Sequence, residues 1–177
     1  MVHIIVLVGI LVFLLVAGLL VLGAMKPNTF RVERSVVINA PAATVFALIN
    51  DFREWTKWSP WETIDADLRR EYSGAPSGKG AAYAWEGKKA GTGAMLITLS
   101  EPSDLILIKL DFVKPMVATN TTEFAVSSEG GATTVRWSMF GPMPLMNRVM
   151  STFFSMDKMV GGQFAQGLAK MKAVAEG

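Results

Sequence analysis

Residues 4–25 read IIVLVGILVFLLVAGLLVLGAM, 22 positions without a charge or a strongly polar side chain. A stretch of that kind leaves a chain few options. At about 1.5 Å per residue it makes a helix of roughly 33 Å, enough to cross a hydrocarbon core about 30 Å thick while satisfying its own backbone hydrogen bonds. A secretory signal would instead show a basic leading segment, a shorter apolar stretch and a small-x-small cleavage site. Only Met1, Val2 and His3 precede the run, bulky Leu22 stands two before Ala24, and no cysteine is present to accept a lipid. The expected organisation is a single-pass anchor over residues 1–25, a tether over 26–29 and one domain over 30–177.

Lys and Arg close to a span are retained on the cytoplasmic side. Lys26, Arg31 and Arg34 follow the run, whereas its leading side offers only the α-amino group and His3. The C-terminal domain is therefore expected to be cytoplasmic. With 17 Lys and Arg against 15 Asp and Glu the net charge is +2, and no basic run forms a patch, so a nucleic-acid partner is not expected. The absence of cysteine excludes disulfides, thiolate metal sites and cysteine nucleophiles. The one histidine lies at the membrane end, which removes Ser-His-Asp chemistry and histidine metal sites from the domain. No metal and no cofactor is expected.

Beyond the tether, residues 30–39 alternate and are rich in β-branched side chains, as a first strand would be. Pro41 then stands near the start of a short helix whose apolar face is Val45, Phe46, Leu48 and Ile49. A second helical or turn segment, DFREWTKWSPW, ends at Ser59-Pro60. From Leu68 the period becomes two, with strands predicted over 68–72, 81–86, 93–100, 105–113, 120–127 and 133–140, separated by Gly-rich and charged turns. Ile106, Ile108, Leu110 and Phe112 share one face of their strand, with Lys109 and Asp111 on the other, so the sheet should have a dry side and a wet side. A last helix is predicted over 147–175. Val149, Phe153, Met156, Val160, Phe164, Leu168 and Met171 give it one apolar stripe, interrupted by Gly161-Gly162, a place for a bend or a close backbone approach.

Several segments carry a family likeness: the first strand followed by Asn39-Ala40-Pro41-Ala42 and Val45-Phe46; Trp55, Trp58, Ser59, Pro60 and Trp61; Trp137-Ser138-Met139 with Gly141; and Met156 to Gly161 with Phe164 and Gly167-Leu168. In their order and spacing they resemble the SRPBCC or START-like superfamily, in its polyketide cyclase/dehydrase-like branch. The resemblance covers nearly everything after the anchor. It implies an α+β helix-grip fold, an antiparallel sheet curved around a long C-terminal helix with an apolar cavity between them. A ligand pocket is implied too, without a named ligand or an active site.

On that fold Trp85, Phe112, Phe124, Trp137, Met139, Phe153, Met156, Val160, Phe164 and Leu168 are either a closed core or the lining of a cavity for a hydrophobic small molecule or lipid. Eleven methionines suit an adaptable surface. Trp55, Trp58 and Trp61 are expected to plug the gap between helices and sheet rather than to form a stacking platform. By strand parity Asp111, Glu123 and Arg136 face away from the dry side. Glu86, whose facing its strand leaves open, is the weak candidate for a catalytic carboxylate, and Asp157 is expected to form a structural ion pair. The segment FGPMPLM before the last helix is read as a rigid connector, with a lid as the alternative. The expected function is a membrane-anchored binding protein for a hydrophobic small molecule or lipid, its protein partners unknown. The rivals are a cyclase- or hydrolase-like enzyme using an inward carboxylate and an interaction module with a filled core.

Overall fold

The computed structural model describes residues 2–177. The apolar run forms α1 (Val2–Met25), whose segment from His3 is long and apolar enough to cross a membrane by length and composition. Its side chains are almost all exposed, and Gly23 near its end is buried. Three residues on, β1 (Thr29–Ile38) begins, followed by α2 (Ala42–Asn50) and two single 3-10 turns, Glu54–Lys57 and Pro60–Thr63. The strands β2 (Arg69–Gly74), β3 (Ala81–Gly87), β4 (Gly91–Glu101), β5 (Leu105–Lys114), β6 (Ala118–Glu129) and β7 (Ala132–Pro142) then run as a meander. The chain ends in α3 (Leu145–Met150) and α4 (Met156–Glu176).

All strands join one antiparallel sheet in the order β1-β7-β6-β5-β4-β3-β2. A shift of register between Ile97 and Leu99 bends β4 against β5, as an extra residue in one strand does. Alternation sets the two faces. Ile106, Ile108 and Leu110 are buried inward, while Lys109 bonds Asp111 at 2.7 Å on the outer face and, with Thr119, holds its carboxyl below the usual range. Glu123 and Arg136 lie on that outer face as well, Glu123 paired with Arg31 at 2.9 Å. This is the helix-grip architecture, with the long apolar helix ahead of it.

α4 lies along β1 and is fastened at both ends. Arg34 donates to Asp157 at 2.7 and 2.9 Å where α4 begins. At the far end Lys172 Nζ donates to the Val37 carbonyl and the Asn39 amide donates to Glu176. Gly161 is a close approach rather than a bend: the Arg34 guanidinium lies where a Cβ would stand, so a larger residue there would displace that side chain from its place across the helix. The ion pair expected of Asp157 is present, though at the start of the helix, because the predicted helix over 147–175 is in fact two. Residues 151–155, with a β-branched residue and two adjacent phenylalanines, are poor at continuing a helix, and Ser155 takes extended backbone ahead of α4. Val149 consequently packs on Gly23 of α1 instead of on the sheet.

Candidate ligand cavity

A cavity of about 340 Å³ lies between the dry face of the sheet and α4. Of the expected lining, Trp85 and Phe112 reach it from β3 and β5, Trp137 and Met139 from β7, and Met156, Val160 and Phe164 from α4. Strand parity brings the first four inward. A turn-by-turn stripe brings the last three. Trp137 and Phe164 stack nearly parallel with ring centres 4.2 Å apart, so sheet and helix meet through two flat aromatic faces.

Three expected lining residues stand elsewhere. Phe124 and Leu168 are fully buried but belong to the closed core beside the cavity, Phe124 against Trp55, Trp58 and Trp137. Phe153 is 63% exposed, because the helix that was to turn it inward stops before it. The plug reading of the tryptophans is right for two of them: Trp55 and Trp58 are buried and donate their indole N–H groups to the Ile49 and Leu48 carbonyls at 2.9 and 2.8 Å. Trp61 is half-buried and lines the cavity.

Glu86 points to solvent and lies 3.6 Å from Arg69, so it is not an inward carboxylate. The inward one is Glu62, which sequence reasoning missed. Its residue is 6% exposed, and its side chain lines the cavity from the second 3-10 turn. Arg70 Nε donates to Glu62 Oε2 at 2.6 Å, Arg70 Nη2 donates to the Glu62 carbonyl, and the Tyr83 hydroxyl donates to Oε1 at 2.8 Å. Burial first, then the hydrogen bond to Glu62, pushes the Tyr83 phenol well above its ordinary range, and the hydrogen bond that Arg70 donates to Glu62 raises the Arg70 guanidinium. The phenol thus stays protonated, and both carboxylate oxygens are engaged. As it stands the trio is a neutralised pin between turn and sheet, with no free acid or base directed at the cavity.

The remaining polar lining is sparse. Ser59, Asn120 and Thr122 are buried in the wall, and the indole N–H of Trp137 is buried without a partner. Lys89 is exposed and Ile64, Met156 and Val160 are half-buried, so these lining residues are where the cavity meets solvent, between the β3–β4 turn and the start of α4. Among the described residues no group of three or more His, Asp or Glu side chains stands close enough to hold a metal ion. The arrangement is suited to enclosing an apolar molecule and offering it one or two hydrogen bonds.

Residues 29–176 match the model of a family described as polyketide cyclase / dehydrase and lipid transport. No curated protein sequence matches the chain. Among solved structures, protein CV1439 from Chromobacterium violaceum is 16% identical, with 86% of this chain and 99% of that one covered at a TM-score of 0.58. The di-domain ARO/CYC BexL from the BE-7585A biosynthetic pathway is 16% identical at a TM-score of 0.63, covering 88% of this chain but 53% of its own length. The Aha1 dimer from Colwellia psychrerythraea, at 13% identity, covers 83% and 96% at a TM-score of 0.56. Likeness at such identities is likeness of fold.

Proposed function

The chain belongs to the polyketide cyclase / dehydrase and lipid transport family, and from that premise we propose that it is a membrane-anchored binding protein for a hydrophobic small molecule or lipid. The observation that carries the reading is the cavity itself, walled by aromatic and methionine side chains and closed at one side by a carboxylate whose partners are already in place. Its volume of about 340 Å³ falls at the lower end of the roughly 300–1,000 Å³ typical of small-molecule sites. In this reading α1 spans the membrane with the domain on the cytoplasmic side, where Lys26 and the folded-back Arg148 meet its end.

An environment-sensitive apolar dye should bind the full-length protein near one-to-one, and Val160→Trp should remove that binding with the fold intact. No binding, or binding indifferent to Val160→Trp, overturns the carrier reading. Native mass spectrometry of gently extracted protein should show a co-purifying small molecule. Protease added to intact cells should spare the domain, and inverted vesicles should lose it.

A second reading has one observation behind it. An enzyme using an inward carboxylate would use Glu62 in place of Glu86, because Glu62 is the carboxylate that meets the cavity. A turnover that Glu62→Gln lowers about a hundredfold or more, the size of a lost general acid or base, would favour it.

A further inference from the structure

Between β7 and the body of α4 the chain shows Leu145, Met146, Met150, Phe153, Phe154 and Met159 to solvent, each 42% to 66% exposed. Apolar side chains gathered on one short segment mark a surface that something else covers. What covers it follows from where the segment is held. α3 sits against the end of α1: Val149 packs so closely on Gly23 that a Cβ there would stand 2.5 Å from its methyl group. Arg148 Nη1 donates to the Ala24 and Lys26 carbonyls at 3.3 and 3.1 Å, and Lys26 Nζ donates to Ser151 and Thr152 at 3.1 and 3.0 Å. The segment thus lies level with the last turn of the apolar helix. A bilayer that holds α1 reaches it.

The sheet brings a second apolar point to the same end. Thr29, just past α1, pairs with Pro142; Phe140 pairs with Thr121; and Ala118 pairs with Phe112. The β5–β6 turn, where Met116 and Val117 are 70% and 86% exposed, is therefore at the anchor's end of the sheet. Lys26, Arg148 and Lys158 flank these apolar groups, as basic residues do beside anionic headgroups. The cavity continues from the same segment. Met156 and Val160, two and six residues beyond Phe154, line it where it meets solvent.

We propose that residues 145–159, with the β5–β6 turn, lie in the lipid interface of the bilayer that holds α1, and that ligand passes between membrane and cavity along this segment. The proposal rests on the anchored-carrier reading and gives it a route. A ligand of low solubility then moves from acyl chains to Phe153 and Phe154 and on to Met156 and Val160 without crossing water.

Because the chain has no cysteine, single-cysteine variants of the full-length protein can each carry one environment-sensitive fluorophore. In phosphatidylcholine/phosphatidylglycerol vesicles containing quencher-labelled lipids, Leu14→Cys should be quenched by a deep quencher, Phe154→Cys and Met116→Cys by a shallow one, and Glu129→Cys, at the opposite end of the sheet, by neither. Quenching at Leu14→Cys without quenching at Phe154→Cys overturns the interfacial segment and leaves the anchor standing. No quenching at Leu14→Cys overturns the anchored reading itself. The combined Phe153→Asp and Phe154→Asp variant should take up an apolar dye from vesicles about tenfold more slowly than the parent, with unchanged binding of the same dye from detergent solution. Equal uptake rates overturn the route.

Discussion

The two ends of the sheet's dry face are built from the same kinds of side chain and end differently. At one end Trp55 and Trp58 drop from the 3-10 turn region onto Phe124 and lock their N–H groups to carbonyls at the end of α2, with Trp58 and Phe124 fully buried and Trp55 at the border of the cavity. At the other, Trp85, Phe112 and Met139 face a cavity. Aromatic content does not separate them. Chain routing does: α4 begins only at Met156, and the residues that would have extended it over the sheet are drawn away to the end of α1. A cavity here is the consequence of a helix that starts late.

The contrast breaks most visibly if its packed end can be emptied cheaply. Trp58→Ala should cost about 3–5 kcal/mol, the usual penalty for deleting a fully buried aromatic, and lower the urea midpoint accordingly. Met156→Ala, at the half-buried cavity wall, should cost about 1 kcal/mol or less, since it removes few packed neighbours. Equal costs would mean that the cavity end is packed like the plug. Next in size is Arg70→Ala, which strands the Glu62 carboxylate. Breaking a fully buried pair costs about 3–5 kcal/mol, but the Arg70 side chain is 30% exposed and solvent screens it, so about 2 kcal/mol is expected, with partial recovery on adding Glu62→Gln.

Filling the open end sharpens the comparison. Val160→Trp should change stability by less than about 1.5 kcal/mol, because the space is already there, while a residue of similar size forced among the plug tryptophans should destabilise more. The smallest effect concerns alkaline pH. The folded Tyr83 phenol titrates above its unfolded value of about 10, so the stability it contributes is fully present below pH 10 and is lost as pH rises through the folded pKa. In urea titrations across pH 8–11, the stability gap between the parent and Tyr83→Phe should therefore narrow above about pH 10.

Local rules made much of this readable in advance. Period-two alternation identified every strand of the meander, with ends displaced by only a few residues, and told which residues of β5, β6 and β7 face inward. Asn39 to Phe46, the tryptophan segment and the residues around Trp137 and Met156 carried the family resemblance that the match over residues 29–176 bears out. Helical spacing found the stripe of α4, yet it could not find the break. Spacing runs on through Val149 and Phe153, and only the competing surface of α1 makes it better for α3 to turn aside.

The inward carboxylate shows the same limit. Nothing beside Glu62 in the chain marks it, because its partners arrive from 8 residues and 21 residues further on. Glu86, on an aromatic strand, had the more suggestive neighbours and faces water. The sequence by itself determined the apolar helix, the meander, the two faces of the sheet and the absence of cysteine and histidine chemistry from the domain, all set by residue type and short-range periodicity. Tertiary structure decided which carboxylate is buried, where the last helix begins and so where a cavity is left, because each depends on surfaces that meet only when distant parts of the chain are brought together.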